Sequence, residues 1–144
     1  MSTPTIGFEA SDAPPCAYER AGEYEGMIAT RDQPVPMRTR SAQSLWSIPY
    51  PQELNDIPMI MARQLDAKDF AQMIIDQFDE MLLQSKRQAL VMGIALHPYI
   101  VGQPYRLKHL RRALQYVAQA RDQGQIWLTT PGAIHAHMVE VNRA

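Results

Sequence analysis

One cysteine in 144 residues, Cys16, excludes an intrachain disulfide and any cysteine-rich metal cluster, and it fits a reducing compartment. Neither sign of charge is in excess: 14 Lys and Arg stand against 15 Asp and Glu, and the net charge of -1 gives no general electrostatic draw toward nucleic acid or anionic lipid. The N-terminus, from Met1 to Ala10, has no basic n-region and no apolar h-region, and no apolar run nears the ~20 residues of a spanning helix. These features predict a soluble cytoplasmic protein that binds neither membrane nor nucleic acid. Glycines are few, and Val101-Gly102-Gln103-Pro104 is a single-glycine turn rather than a phosphate-cradling loop. No serine sits in a Gly-x-Ser-x-Gly elbow, and Cys16 lies outside any periodic segment, so nucleophilic catalysis has no support.

Length points to one domain, yet it falls short of the ~250 residues of a complete eight-unit α/β barrel. Eight of the eleven prolines precede residue 59, and residues 1–43 show neither helical nor strand periodicity beyond a weak helical signal from Tyr18 to Ile28. This stretch is expected to form an irregular, poorly ordered arm. A partial α/β domain is expected over 44–144. Leu45 to Ile48 reads as a short strand stopped by Pro49 and Pro51, and a loop carrying Asn55-Asp56 follows.

The segment from Asp66 to Lys86 is the clearest helix, because Phe70, Met73, Ile74, Phe78, Met81 and Leu82 share one stripe. Asp66 is placed to cap it, with Asp69 near the free amides of the first turn. The run Leu90 to Leu96 then lacks a single polar residue, as a strand buried on both faces does. It ends at His97. Pro104 opens another helix, with Leu107, Leu110, Leu114, Val117 and Ala118 facing inward, and Gly124 closes it. Ile126 to Leu128 reads as a third strand, and Thr130-Pro131 launches the last helix. Strand and helix alternate, so the fold class is α/β, with parallel strands and crossover helices. Three short strands would leave two open edges, to be covered by residues 1–43, by another chain, or by the rest of a barrel.

In such folds the carboxyl ends of the strands form the functional rim, which places His97 for proton transfer. Polar groups on neighbouring loops, Asp32, Asn55, Asp56, Tyr99, Arg106, Thr129 and Thr130, could assist it. Each also has a structural reading: Asn55-Asp56 as turn residues, Thr130 as a helix cap, Arg106 as a first-turn surface charge, and His97 itself as a residue before a Pro-Tyr turn. No metal site is expected. The four histidines, His97, His109, His135 and His137, include no i, i+4 pair, and His135 and His137 point to different faces of one helix.

Three stretches together resemble a known family: Ser-Ile-Pro-Tyr-Pro-Gln-Glu-Leu-Asn-Asp-Ile-Pro (47–58), Gly-Ile-Ala-Leu-His-Pro-Tyr-Ile-Val-Gly-Gln-Pro-Tyr-Arg (93–106) and Ile-Trp-Leu-Thr-Thr-Pro-Gly-Ala-Ile (126–134). They are similar to the carboxyl-terminal part of the polysaccharide deacetylase (NodB-like) superfamily, in its metal-independent, allantoinase-like branch, and the likeness runs from about Arg31 to about Met138. The resemblance implies part of a deformed (β/α) barrel and hydrolysis of carbon–nitrogen bonds other than peptide bonds, in N-acetyl sugars or ureides. It implies a general acid at His97, substrate contacts at Asp32, Asn55, Asp56, Tyr99 and Arg106, and no cofactor. Nothing in residues 1–30 matches the first-half motifs that supply the family's catalytic-base aspartate and, in metal-dependent members, the metal ligands.

Accordingly, the first expectation is a hydrolase that is truncated and weakly active or inactive alone, with a small-molecule or sugar substrate. The second is a non-catalytic interaction subunit that completes a barrel with a complementing chain or a second copy of itself. The third is a nonfunctional remnant that folds poorly.

Overall fold

The computed structural model describes residues 5–8, 32–37, 40 and 45–142, the first of these as a backbone path alone. Along the chain come β1 (Thr5–Phe8), β2 (Val35–Met37), β3 (Leu45–Ser47), a π-helical segment (Ile57–Ala62), α1 (Ala67–Gln84), β4 (Leu90–Gly93), α2 (Pro98–Val101), α3 (Pro104–Asp122), β5 (Trp127–Thr129) and α4 (Pro131–Val141).

The apolar run holds the centre. Within it Leu90, Val91, Met92, Ile94 and Ala95 are all buried, as expected of a strand covered on both faces. Alternation decides which side each serves. Leu90, Met92 and Ile94 join the main core with α1 and α3, whereas Gly93 points the other way, toward Pro49 and Pro51. A Cβ at Gly93 would stand 2.8 Å from Pro51 Cδ, so this glycine is what allows the proline loop to lie against the strand.

Helix α1 buries Phe70, Ile74, Phe78 and Met81 of the stripe read from its spacing, and Ala71 besides, with Met73 and Leu82 packed at the margin. Each large apolar side chain so buried contributes about 1.5–3 kcal/mol relative to exposure. Against this stripe α3 sets Leu110, Ala113, Val117 and Ala120, and the small alanines let the two helices approach closely. Edge contacts add to the seam: the Phe78 and Tyr116 rings meet edge-on at 6.0 Å, and Tyr116 donates its hydroxyl proton to Asp79 Oδ1 at 2.9 Å. Helix α3 ends at Gly124, whose φ of +71° suits a residue without a Cβ. At α4, Thr130 Oγ1 accepts from the Ala133 N–H at 3.3 Å, the expected cap. Asp66 occupies the cap position of α1 but makes no capping hydrogen bond with its side chain.

The sheet departs from the expected arrangement in its neighbours. Its order is β4-β1-β5, and β1 is antiparallel to both, with Thr5 opposite Gly93 on one side and Thr129 on the other. Thus β4 and β5 run in the same direction, joined by the α3 crossover, but another strand separates them. Residues 1–43, expected to be irregular, supply β1 and β2; the helical signal at 18–28 lies outside the described residues. Four residues with a central glycine are too short to show periodicity, which is why β1 escapes a pattern search. Nor does β3 join this sheet, since it pairs antiparallel with β2 in a separate two-stranded ribbon. The parallel neighbour of β4 is instead Leu54–Asp56, bridged at Asn55 and Ala95. The Ala95 N–H donates to the Leu54 carbonyl at 2.8 Å, and the Asp56 N–H donates to the Ala95 carbonyl at 3.2 Å. The expected loop after Pro51 therefore contains a strand-like stretch and then the π-helical segment.

Candidate active site

At the carboxyl end of β4 the register with Leu54–Asp56 builds a two-residue site. In a parallel ladder continued beyond Ala95, the next N–H toward this neighbour is that of His97, and its natural acceptor is the carbonyl of residue 56. At Asp56, however, the chain leaves the extended conformation, with φ -68° and ψ -24°. The side chain does the work instead: Asp56 Oδ2 accepts the His97 backbone N–H at 2.7 Å. Its second oxygen, Oδ1, lies 2.6 Å from Nδ1 of the same histidine.

Two contacts from one carboxylate to one residue fix both the backbone and the ring of His97. Asp56 is 0% exposed, whereas 32% of the His97 side chain is open to solvent. A carboxylate sealed from water needs its lone pairs engaged, and each Asp56 oxygen has a partner. An ionised carboxylate only accepts, so it selects the Nδ1–H form of the imidazole and leaves Nε2 as the nitrogen open to exchange a proton. No described residue engages Nε2. Just beyond, Tyr99 is 66% exposed and its ring meets that of His97 in an edge arrangement, with centroids 5.6 Å apart.

The other residues singled out from sequence divide into two groups. Asn55 turns its Oδ1 back to accept the Ile57 N–H at 3.1 Å, stabilising the bend that delivers Asp56. Arg106, half-buried, donates from one guanidinium nitrogen to the Ile100 carbonyl at 3.3 Å and so braces α2 against α3. Asp32 lies elsewhere. Its carbonyl accepts the Val91 N–H at 2.7 Å, and Gln33 bonds Gln88 at 3.3 Å, so it flanks the start of β4. Six residues separate Val91 from His97, up to about 20 Å of extended chain. Although Asp32 is exposed as a residue, partial burial of its carboxyl pushes it up from the usual aspartate value.

Compared with known proteins, the chain matches no family model, no curated protein and no solved structure. The geometry must therefore speak for the site. Among the described residues no three His, Cys, Asp or Glu side chains group as a metal site would need, and no helix is long and apolar enough to cross a membrane. The sequence names both Asp56 and His97, with Asp56 as one of seven groups that could assist His97 and, by resemblance, as a substrate contact. Their union depends on the 54–56 to 95–97 register, for which a lone sequence carries no signal.

Proposed function

We propose that the chain carries the proton-transfer end of a hydrolase acting on carbon–nitrogen bonds other than peptide bonds, in the manner of the carboxyl-terminal part of a polysaccharide deacetylase of the allantoinase-like branch. The buried Asp56 carboxylate clasping His97 carries this reading, together with the residue likeness over 47–58, 93–106 and 126–134. In hydrolysis the water oxygen bonds to the carbonyl carbon, the carbon–nitrogen bond breaks, and the departing nitrogen needs a proton. With Nδ1–H held by Asp56, the protonated ring delivers that proton from Nε2, and the carboxylate steadies the imidazolium before transfer. The water's own proton requires a base, and residues 1–30 hold no stretch resembling the family's base-bearing motif. Turnover by this chain alone is accordingly weak.

The test is hydrolysis of an N-acetylated chito-oligosaccharide and of allantoin by the purified chain, beside His97→Ala. A positioned general acid is worth about 10²–10⁴ in rate, so slow wild-type turnover should drop to background in the variant. Equal rates for the two proteins would remove His97 from the mechanism. Robust wild-type turnover would show that this chain supplies a base outside the family's pattern.

A further inference from the structure

Between the first turns of α1 and α3 lies a groove of about 450 Å³, within the ~300–1,000 Å³ of small-molecule sites. We propose that it binds an organic oxyanion: a small molecule bearing a phosphate monoester or carboxylate beside an apolar group. Neither Asp56 nor His97 lines it, and Arg106 is the one groove residue that the hydrolase resemblance also makes a substrate contact.

Charge is the first argument. Lys68 and Arg106, with His109 beside them as a hydrogen-bonding group, line the groove against a single carboxylate, Asp66, in a chain whose net charge is -1. Two cations elsewhere are neutralised locally, Arg63 by Glu53 at 3.5 Å and Arg121 by Asp122 at 2.7 Å. Among the described residues, Lys68 and Arg106 form no such pair. Two cations against one carboxylate leave the groove net positive, and a concave surface concentrates that potential where a ligand can enter.

Preorganisation is the second. The bond from Arg106 to the Ile100 carbonyl and the position of its guanidinium over the Tyr105 ring, 5.1 Å from the centroid, hold the fork in place while its other donors remain available. A planar fork suits the paired oxygens of a phosphate or carboxylate. The third argument is the apolar portion of the lining. Ile60 is 6% exposed and Leu65 is half-buried, and Tyr105 presents an exposed ring at the edge. An inorganic anion would leave that surface unused, whereas a ligand with an alkyl or aromatic part covers it.

The experiment is a titration of the full, isotope-labelled chain followed by amide NMR, with phenyl phosphate, 3-phenylpropanoate, inorganic phosphate and neutral benzyl alcohol as probes. Saturable shifts at residues 64–68 and 105–109 with either organic anion, and weaker binding of inorganic phosphate and benzyl alcohol, would support the site and identify the preferred headgroup. Lys68 is exposed, so Lys68→Gln leaves the fold intact and should weaken binding by about tenfold, the loss of one charge-assisted contact. Asp66→Asn should tighten it, since it removes the opposing charge. The proposal is overturned by an absence of saturation up to about 20 mM, a free energy too small for a site. Equal binding of benzyl alcohol, shifts that map elsewhere, or unchanged affinity in Lys68→Gln would overturn it as well.

Discussion

Replacing Asp56 with asparagine keeps volume and shape but leaves one acceptor oxygen where the carboxylate has two. One amide oxygen can still take the His97 backbone N–H, which in the native protein meets Oδ2 at 2.7 Å. The amide nitrogen then occupies the place of Oδ1, 2.6 Å from Nδ1, where two N–H donors would collide. The ring escapes this only by moving its proton to Nε2 and offering Nδ1 as an acceptor. A charge-assisted hydrogen bond becomes a neutral one, costing about 1–1.5 kcal/mol, partly offset because an ion no longer has to be buried. Asp56→Ala leaves both His97 groups without their partner and opens a void, on the order of 3–5 kcal/mol. Urea unfolding of the three proteins gives the energies, and nitrogen-15 NMR of the neutral imidazole reads the tautomer directly. The reasoning predicts Nδ1–H in the native protein and Nε2–H in Asp56→Asn. A stability change under about 0.5 kcal/mol together with an unchanged tautomer would refute it, because a change that small is typical of an ordinary surface substitution.

Two further expectations follow from the packing and the charges. Gly93→Ala sets a Cβ 2.8 Å from Pro51 Cδ and 3.4 Å from the Pro49 carbonyl oxygen, so it should destabilise by about 1–3 kcal/mol in denaturant unfolding; a neutral result would mean that the proline loop does not rest on β4. The hydrogen bond from Tyr116 to Asp79, with the nearby negative charge, pushes the phenol up from its usual value near 10. A raised native value means that this contribution is whole below the unfolded phenol's titration and is lost as pH climbs through the native one. Tyr116→Phe should therefore flatten the alkaline fall in unfolding midpoint, and an identical fall in both proteins would count against the contact.

Long, strongly patterned segments were legible from the sequence. Phe70, Ile74, Phe78 and Met81 repeat at helical spacing because they fill one side of α1, and Thr130-Pro131 marks the start of α4 because its oxygen and ring chemistry suit that position. The burial of Leu90 to Ala95 followed from the absence of polar residues there. What stayed hidden depends on distant pairing. Nothing local in Thr5–Phe8 marks a strand between β4 and β5, and Val35–Met37 contains a proline that argues against one. Asp56 illustrates the same limit at the site, since Asn-Asp after an apolar residue reads equally well as a plain turn until Ala95 is set beside it. Of the groove's basic residues, Arg106 was legible as a possible substrate contact or a first-turn surface charge, and Lys68 comes to line the same groove only through the packing of two helices.

The position of β1 also sets an order on folding. Its partners lie about eighty-five and about one hundred and twenty residues downstream, whereas α1, β4 and α3 adjoin one another along the chain. Closing a loop costs entropy that rises with its length, so contacts within the α1–β4–α3 unit are favoured to form first. Until Thr5–Phe8 arrives, β4 and β5 each present an unpaired inner edge, and such edges accept any extended segment, including one from a second molecule. An early part of the polypeptide is therefore the last piece seated in the sheet, and the interval before it docks is when the chain is most exposed to mispairing.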